Sequence, residues 1–357
     1  MDDRVELTVK KLTSSGHVSR RDFVRTIGVL AALMSIPQNK LLAAFTQSLA
    51  KNRRLPVIWL EFQDCTGDTE SVLRGAERSN MADSTVTDPG IVDLLLSVIA
   101  LEYHETIMSP SGAAAEKSRN DVIAKYKGKY LTIVEGSIPT AANGNYCTVG
   151  GKTAMSIAKS VCSQGAATVA LGTCAVSGGL GAAAPNPTGA KGVLQAFPTM
   201  PNVLNLPGCP ANVVNVVSTI VYFIAYGKLP ALDSQRRPSF AYGKTIHSQC
   251  PRRDYYEDGP HVLAWGDAAH RSGGCMVKMG CRGPNTYSNC PTARWNGGAG
   301  WPVESGHGCF GCTTASFWDA NFPYYKGASS GDSEDSGDSD DSGGSDDSRR
   351  SGGSRDD

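Results

Sequence analysis

Residues 55–230 alternate short apolar runs with stretches of helical spacing. Leu55–Leu60, Tyr130–Val134, Ala167–Leu171 and Val203–Leu206 are continuous apolar segments bounded by turn residues, which predicts buried strands. Gly90–Tyr103, Ala154–Val161 and Ala211–Ala225 repeat their apolar residues at helical intervals, which predicts helices. Strands that alternate with helices imply a parallel sheet covered on both faces. After Pro230 the periodicity fades and Gly, Pro, Asn and Cys dominate. A segment with so little regular structure needs another source of stability, and metal binding supplies one.

The two ends differ from the middle. Residues 1–54 hold ten Lys/Arg against four Asp/Glu, and residues 328–357 hold ten acids against three Arg. The remainder, with 21 basic and 20 acidic residues, is close to neutral. That balance gives no concentrated basic face and argues against a nucleic-acid partner. Near the N-terminus, Ser19-Arg20-Arg21-Asp22-Phe23 precedes an apolar stretch from Ile27 to Ile36. Paired arginines before a short apolar segment read as a twin-arginine export signal, too short for a permanent membrane span. Residues 1–50 are therefore expected to lie outside the fold, with cleavage in the zone Ala43–Ala50. An exported chain would be periplasmic, or membrane-associated without an anchor of its own; a vestigial signal would leave it cytoplasmic. The Ser/Gly/Asp tail 328–357 has no large apolar residue to bury and reads as disordered.

The chain of 357 residues carries eleven cysteines, an odd number, five of them between 275 and 312. Disulfide frameworks belong mostly to small secreted domains, so clustering in a long chain favours metal. In the first domain, residues 51–230, Cys65, Cys174 and Cys209 each follow a predicted strand. The carboxyl ends of parallel strands lie on one edge, where ligands bind in such sheets. Thiolates gathered there suit an iron–sulfur cluster. Asp68 offers a fourth, oxygen ligand; the plainer role for an Asp at a helix start is a cap. Cys147 and Cys162 read as ordinary buried cysteines.

In residues 231–327 two donor sets stand out. His247, Cys250, Cys275 and Cys281 form one; Cys290, Cys309 and Cys312 form the other. Zinc is the natural rival for a set of three Cys and one His, but closed structural zinc needs four ligands and the second set has three. Three thiolates suit a three-iron cluster better, with Pro302 standing where a fourth cysteine would fall.

These residues resemble a known family. Val57-Ile58-Trp59-Leu60-Glu61-Phe62-Gln63-Asp64-Cys65-Thr66-Gly67-Asp68-Thr69-Glu70-Ser71 is similar to the first cluster motif of nickel–iron hydrogenase small subunits. So are Glu135–Thr140, Gly172-Thr173-Cys174, Pro207-Gly208-Cys209-Pro210, the His247/Cys250 and Cys275/Cys281 pairs, and Trp301 through Cys312 to Asp319. The resemblance covers roughly residues 19–320. It implies an α/β, flavodoxin-like parallel-sheet domain followed by a smaller, irregular iron–sulfur domain. It further implies a proximal [4Fe-4S] cluster on Cys65, Asp68, Cys174 and Cys209. A medial [3Fe-4S] cluster would sit on Cys290, Cys309 and Cys312, and a distal [4Fe-4S] cluster on His247, Cys250, Cys275 and Cys281.

The nickel–iron centre would belong to a large-subunit partner in an obligate heterodimer, with a dimer of heterodimers as the next assembly. Electrons from hydrogen would pass to an external acceptor such as a cytochrome or a quinone-linked protein. Asp68 departs from the usual Cys of this place and resembles oxygen-exposed, high-affinity relatives. A second oxygen-tolerant type adds two cysteines; those places read here as Gly67 and Ala182. The alternative within the same fold is a quinone-reductase-like iron–sulfur protein, which lacks the second cysteine-rich domain.

Overall fold

The computed structural model describes residues 20–51, 54–75, 77–79, 87–89, 91–295, 298–315 and 317–320. Residues 1–19 and the acidic tail lie outside the described residues. Among the described residues, five strands form one sheet. They are β1 (Leu55–Glu61), β2 (Ile99–His104), β3 (Leu131–Glu135), β4 (Ala167–Leu171) and β5 (Val203–Leu206). Their order is β2-β1-β3-β4-β5 and every pairing is parallel. This is the flavodoxin-like order, whose topological switch point lies between β1 and β3. β3 and β4 are buried at every position, as a sheet covered on both faces requires.

The predicted helix Gly90–Tyr103 is two elements. A helix, Ile91–Val98, runs directly into β2, which pairs with β1 from Leu55↔Ile99 to Trp59↔His104. The apolar positions of Ile99-Ala100-Leu101 continue the helical spacing by coincidence, while pairing with β1 extends the backbone there. The other predicted elements are present with shifted ends: Ala154–Cys162, and the apolar helix Val213–Tyr226, capped by Asn212 Oδ1 accepting from the Val214 N–H at 2.9 Å.

One face of the sheet holds a departure from the sequence reading. That reading puts residues 20–50 outside the fold, yet residues 20–51 form helices α1 (Arg20–Leu33) and α2 (Gln38–Lys51). Phe23, Ile27, Leu30, Leu41 and Phe45 join the apolar core that contains Val57, Ile133, Val169 and Leu204. No single helix among the described residues is long and apolar enough to cross a membrane. A separate small core, built on Ile246, Cys290, Trp301 and Val303, supports the irregular second region.

Candidate metal-cluster sites

The carboxyl edge of the sheet carries the first donor set. β1 leads into Asp64-Cys65-Thr66, and Thr66 takes a left-handed conformation, φ 58°, unusual for a β-branched residue. That turn starts α3 (Gly67–Leu73), with Asp68 in its first turn. β4 is followed by Gly172, where φ is +78° and a Cβ would fall 1.9 Å from Asp68 Oδ2. Glycine is therefore required beside Asp68, and Cys174 follows two residues later. β5 leads to Cys209, and Asp68 Oδ1 accepts from the Ala211 N–H at 2.5 Å.

The thiols of this set feel one another. Burial raises Cys174 to about 12, and Cys209, Asp68 and Cys65 add to the shift. Burial raises Cys209 to about 12 as well, helped by Cys312, Asp68 and Cys65. Asp68 is raised to about 8 by burial and then by Glu135. Cys65, Asp68, Cys174 and Cys209 lie near enough to act on one another, and the positive core of an iron–sulfur cluster would favour their charged forms.

Beneath them lies a polar network that the sequence motifs did not reveal. Glu135, fully buried at the end of β3, accepts from Trp59 Nε1 at 3.0 Å, the Asp68 N–H at 3.0 Å and the Thr69 N–H at 3.1 Å. It also accepts from Thr69 Oγ1 at 2.6 Å. His104 Nε2 lies 3.2 Å from that hydroxyl and its Nδ1 lies 3.4 Å from Glu61 Oε2. Burial drives His104 down to about 4, so it is neutral near pH 7. Glu135 is visible in the sequence as part of a motif, but its partners come from β1 and α3, which only the topology assembles.

The second and third sets continue from the first. Cys312 is raised to about 12 by burial and by Cys290, and Cys309 is pushed up by burial, Cys312 and Cys281. Cys290, Cys309 and Cys312 line one cavity of about 650 Å³ with Trp301, Pro302 and Phe310. Pro302 thus borders the three-thiol set, in keeping with its place in the sequence. The Cys309 N–H donates to Cys281 Sγ at 3.2 Å. Cys250 is raised by burial, with Cys281 and Cys275 contributing. His247 shares a small cavity with Cys250, Cys275 and Cys281, its ring edge-on to Tyr256 at 4.5 Å.

All eleven cysteines are free thiols, against a disulfide framework. Cys162 is buried, as read from the sequence, whereas Cys147 is only partly buried. At the two places read as Gly67 and Ala182, one assignment shifts. A Cβ on Gly67 would lie 3.0 Å from Cys65 Sγ, but the second residue against a thiol is Gly179, where a Cβ would come within 2.4 Å of Cys174 Sγ. Ala182 instead lies where a Cβ on Gly178 would meet it.

Residues 242–325 match the family model for the C-terminal region of NiFe/NiFeSe hydrogenase small subunits. Residues 65–223 match NADH ubiquinone oxidoreductase, 20 Kd subunit. Along its length the chain is 41% identical over 314 residues to the quinone-reactive Ni/Fe-hydrogenase small chain of Wolinella succinogenes, covering 86% of this chain and 83% of that one. It is 40% identical over 302 residues to the hydrogenase-2 small chain of Escherichia coli, covering 84% and 78%.

The chain belongs to the small-subunit family of nickel–iron hydrogenases. Its fold superposes on a chain of the [NiFeSe]-hydrogenase of Dm. baculatum with a TM-score of 0.69 at 34% identity, covering 77% of this chain and all of that one. The quinone-reductase reading is not favoured, because that family matches only the first region and the hydrogenase family matches the second. This small subunit is the electron-transfer component of a hydrogenase, and its partner is a large subunit.

Proposed function

We propose that this protein relays electrons in series through three iron–sulfur sites during hydrogen oxidation. When bound, such clusters supply one-electron redox steps. Electrons would enter at Cys65, Asp68, Cys174 and Cys209, cross Cys290, Cys309 and Cys312, and leave through His247, Cys250, Cys275 and Cys281. The first and third sets suit four-iron clusters and the second a three-iron one. The observation that carries this reading is contiguity: Cys209 of the first set lines one cavity with Cys290, Cys309 and Cys312, and the Cys309 N–H reaches Cys281 Sγ at 3.2 Å.

Cys65 and Cys209 are exposed in the isolated chain. A cluster held there needs a cover, and the large subunit with its nickel–iron centre is the cover this reading assigns. The exit set, with His247 beside it, would face a cytochrome or quinone-linked acceptor. Asp68 takes the position of a fourth thiolate and ties one oxygen to the Cys209 loop. That substitution supports a likeness to high-affinity, oxygen-exposed relatives. The twin-arginine segment would direct the loaded complex out of the cytoplasm.

The test is reconstitution. The purified chain alone should contain iron and acid-labile sulfide, and it should neither oxidise nor evolve hydrogen. Turnover should return with a nickel-containing large subunit. Hydrogen turnover by the nickel-free chain, or zinc as its principal metal, contradicts the reading.

A further inference from the structure

Ser288 stands two residues before Cys290, and its hydroxyl lies 3.1 Å from Cys290 Sγ. Ser288 is 3% exposed, and Cys290 is buried beside it. Two backbone ties hold Ser288 without its hydroxyl. Its N–H donates to the Lys244 carbonyl at 3.1 Å, and its carbonyl accepts from Gln249 Nε2 at 3.2 Å. The next residue, Asn289, is fixed by the buried Asn215. The hydroxyl is therefore directed at sulfur by a frame that does not need it.

Trp295 packs against the small core that holds Cys290, and its indole N–H is a second donor to that sulfur. Both donors are neutral. The surrounding Ile246, Trp301 and Val303 are buried and apolar. In so dry a setting a hydrogen bond weighs more than it does in water.

A free Cys290 thiol could give its proton to Ser288. A Cys290 bound to iron is a thiolate with no proton left, so the bond then runs one way, from the Ser288 hydroxyl to Sγ. Reduction of the site by one electron, drawn from hydrogen through the entry set, puts more negative charge on its sulfurs. The donated bond strengthens on reduction and so favours the reduced state. Hydrogen bonds to the sulfurs are among the levers that set the potential of an iron–sulfur site.

We infer that Ser288 is a positioning residue for the second site, acting through Cys290 with Trp295 beside it. It raises the potential of the three-thiol site, so that this site draws electrons from the entry set. The inference rests on the relay reading and adds which residues of this chain set the relay's middle step.

Redox titration of the oxidised three-iron EPR signal in the intact heterodimer tests it. Ser288→Ala should move the midpoint to a more negative value, shifting the one-electron equilibrium by up to about tenfold, or about 59 mV. Ser288→Thr, which keeps the hydroxyl, should titrate like wild type. Trp295→Phe, which keeps an aromatic ring and loses the N–H, should shift in the same direction as Ser288→Ala. Ser288→Cys is nearly isosteric and a weaker donor, so it should also titrate more negative, and it decides the matter where Ser288→Ala loads no cluster. A wild-type midpoint in loaded Ser288→Ala or Ser288→Cys overturns the inference. So does an equal shift in Ser288→Thr, which would trace the change to packing. These outcomes leave the relay standing, whereas a wild-type heterodimer with no three-iron signal overturns the relay and this inference together.

Discussion

Asn215 and Asn289 hold each other by two reciprocal hydrogen bonds, each 2.9 Å long. Both residues are buried, at 1% and 5% exposure. The pair joins the long apolar helix of the first region to the residue just before Cys290, so it fixes one three-thiol ligand against the sheet domain. Asn212 Nδ2 adds a second tie, donating to the Arg294 carbonyl at 2.6 Å. Asn215→Ala or Asn289→Ala should each cost about 1–3 kcal/mol, because the remaining amide is left buried and unpaired. The double variant should lose less than the sum of the two. Thermal unfolding of the four proteins checks this, and strict additivity would mean the two amides do not interact.

Glu135 should matter more for the entry site than any non-ligand nearby. Each donor it leaves unpaired costs about 1–3 kcal/mol, and it accepts from Trp59 and from the amides of Asp68 and Thr69. Glu135→Ala should lower the unfolding midpoint and alter the EPR signal of the first site, while the signals of the other two persist. A change in stability with an unaltered first-site spectrum would show that Glu135 supports the fold alone.

Asp68 sits inside the first turn of its helix, and its carboxylate accepts from Ala211 rather than capping that helix. The helix start has no side-chain cap, so the capping role open to an Asp at this position is not the one it performs. A carboxylate is a harder ligand than a thiolate. Asp68→Cys should give an ordinary all-thiolate four-iron spectrum at the first site, and Asp68→Ala should favour a three-iron one. Wild-type spectrum and potential in both variants would show that the carboxylate serves only the Ala211 loop.

His247 differs from its three thiolate neighbours in charge. Neutral imidazole raises a cluster potential relative to thiolate, as in Rieske centres. His247→Cys should therefore lower the exit-site potential and slow reduction of external acceptors, leaving hydrogen activation at the large subunit intact. A redox titration that finds the same potential in a fully loaded variant argues against ligation by His247.

Much of this architecture is legible in the sequence because its signals are local. The strands of a doubly covered sheet are continuous apolar runs, so Leu55–Leu60 and Ala167–Leu171 announce themselves, and each cysteine follows its strand within a few residues. What stays hidden depends on packing. The strand Ile99–His104 merges with the helix before it because both are apolar. The packing of α1 and α2 against the sheet core stays hidden because an apolar, Ala-rich helix looks alike whether it packs on a protein or enters a membrane. Glu135, His104 and Thr69 meet only when β1, β2 and β3 lie side by side, and no spacing encodes that. Gly179 rather than Ala182 faces Cys174 because the turn at Gly178, with φ 92°, folds the chain back on the thiol.

In the proposed relay, electrons released from hydrogen pass into this protein. Hydrogen is added to the anaerobic, oxidised heterodimer, with EPR recorded before and after. The three-thiol site should lose its oxidised three-iron signal, and reduced four-iron signals should appear. An active complex whose small subunit shows no iron–sulfur signal, or whose signals hydrogen leaves unchanged, would contradict it.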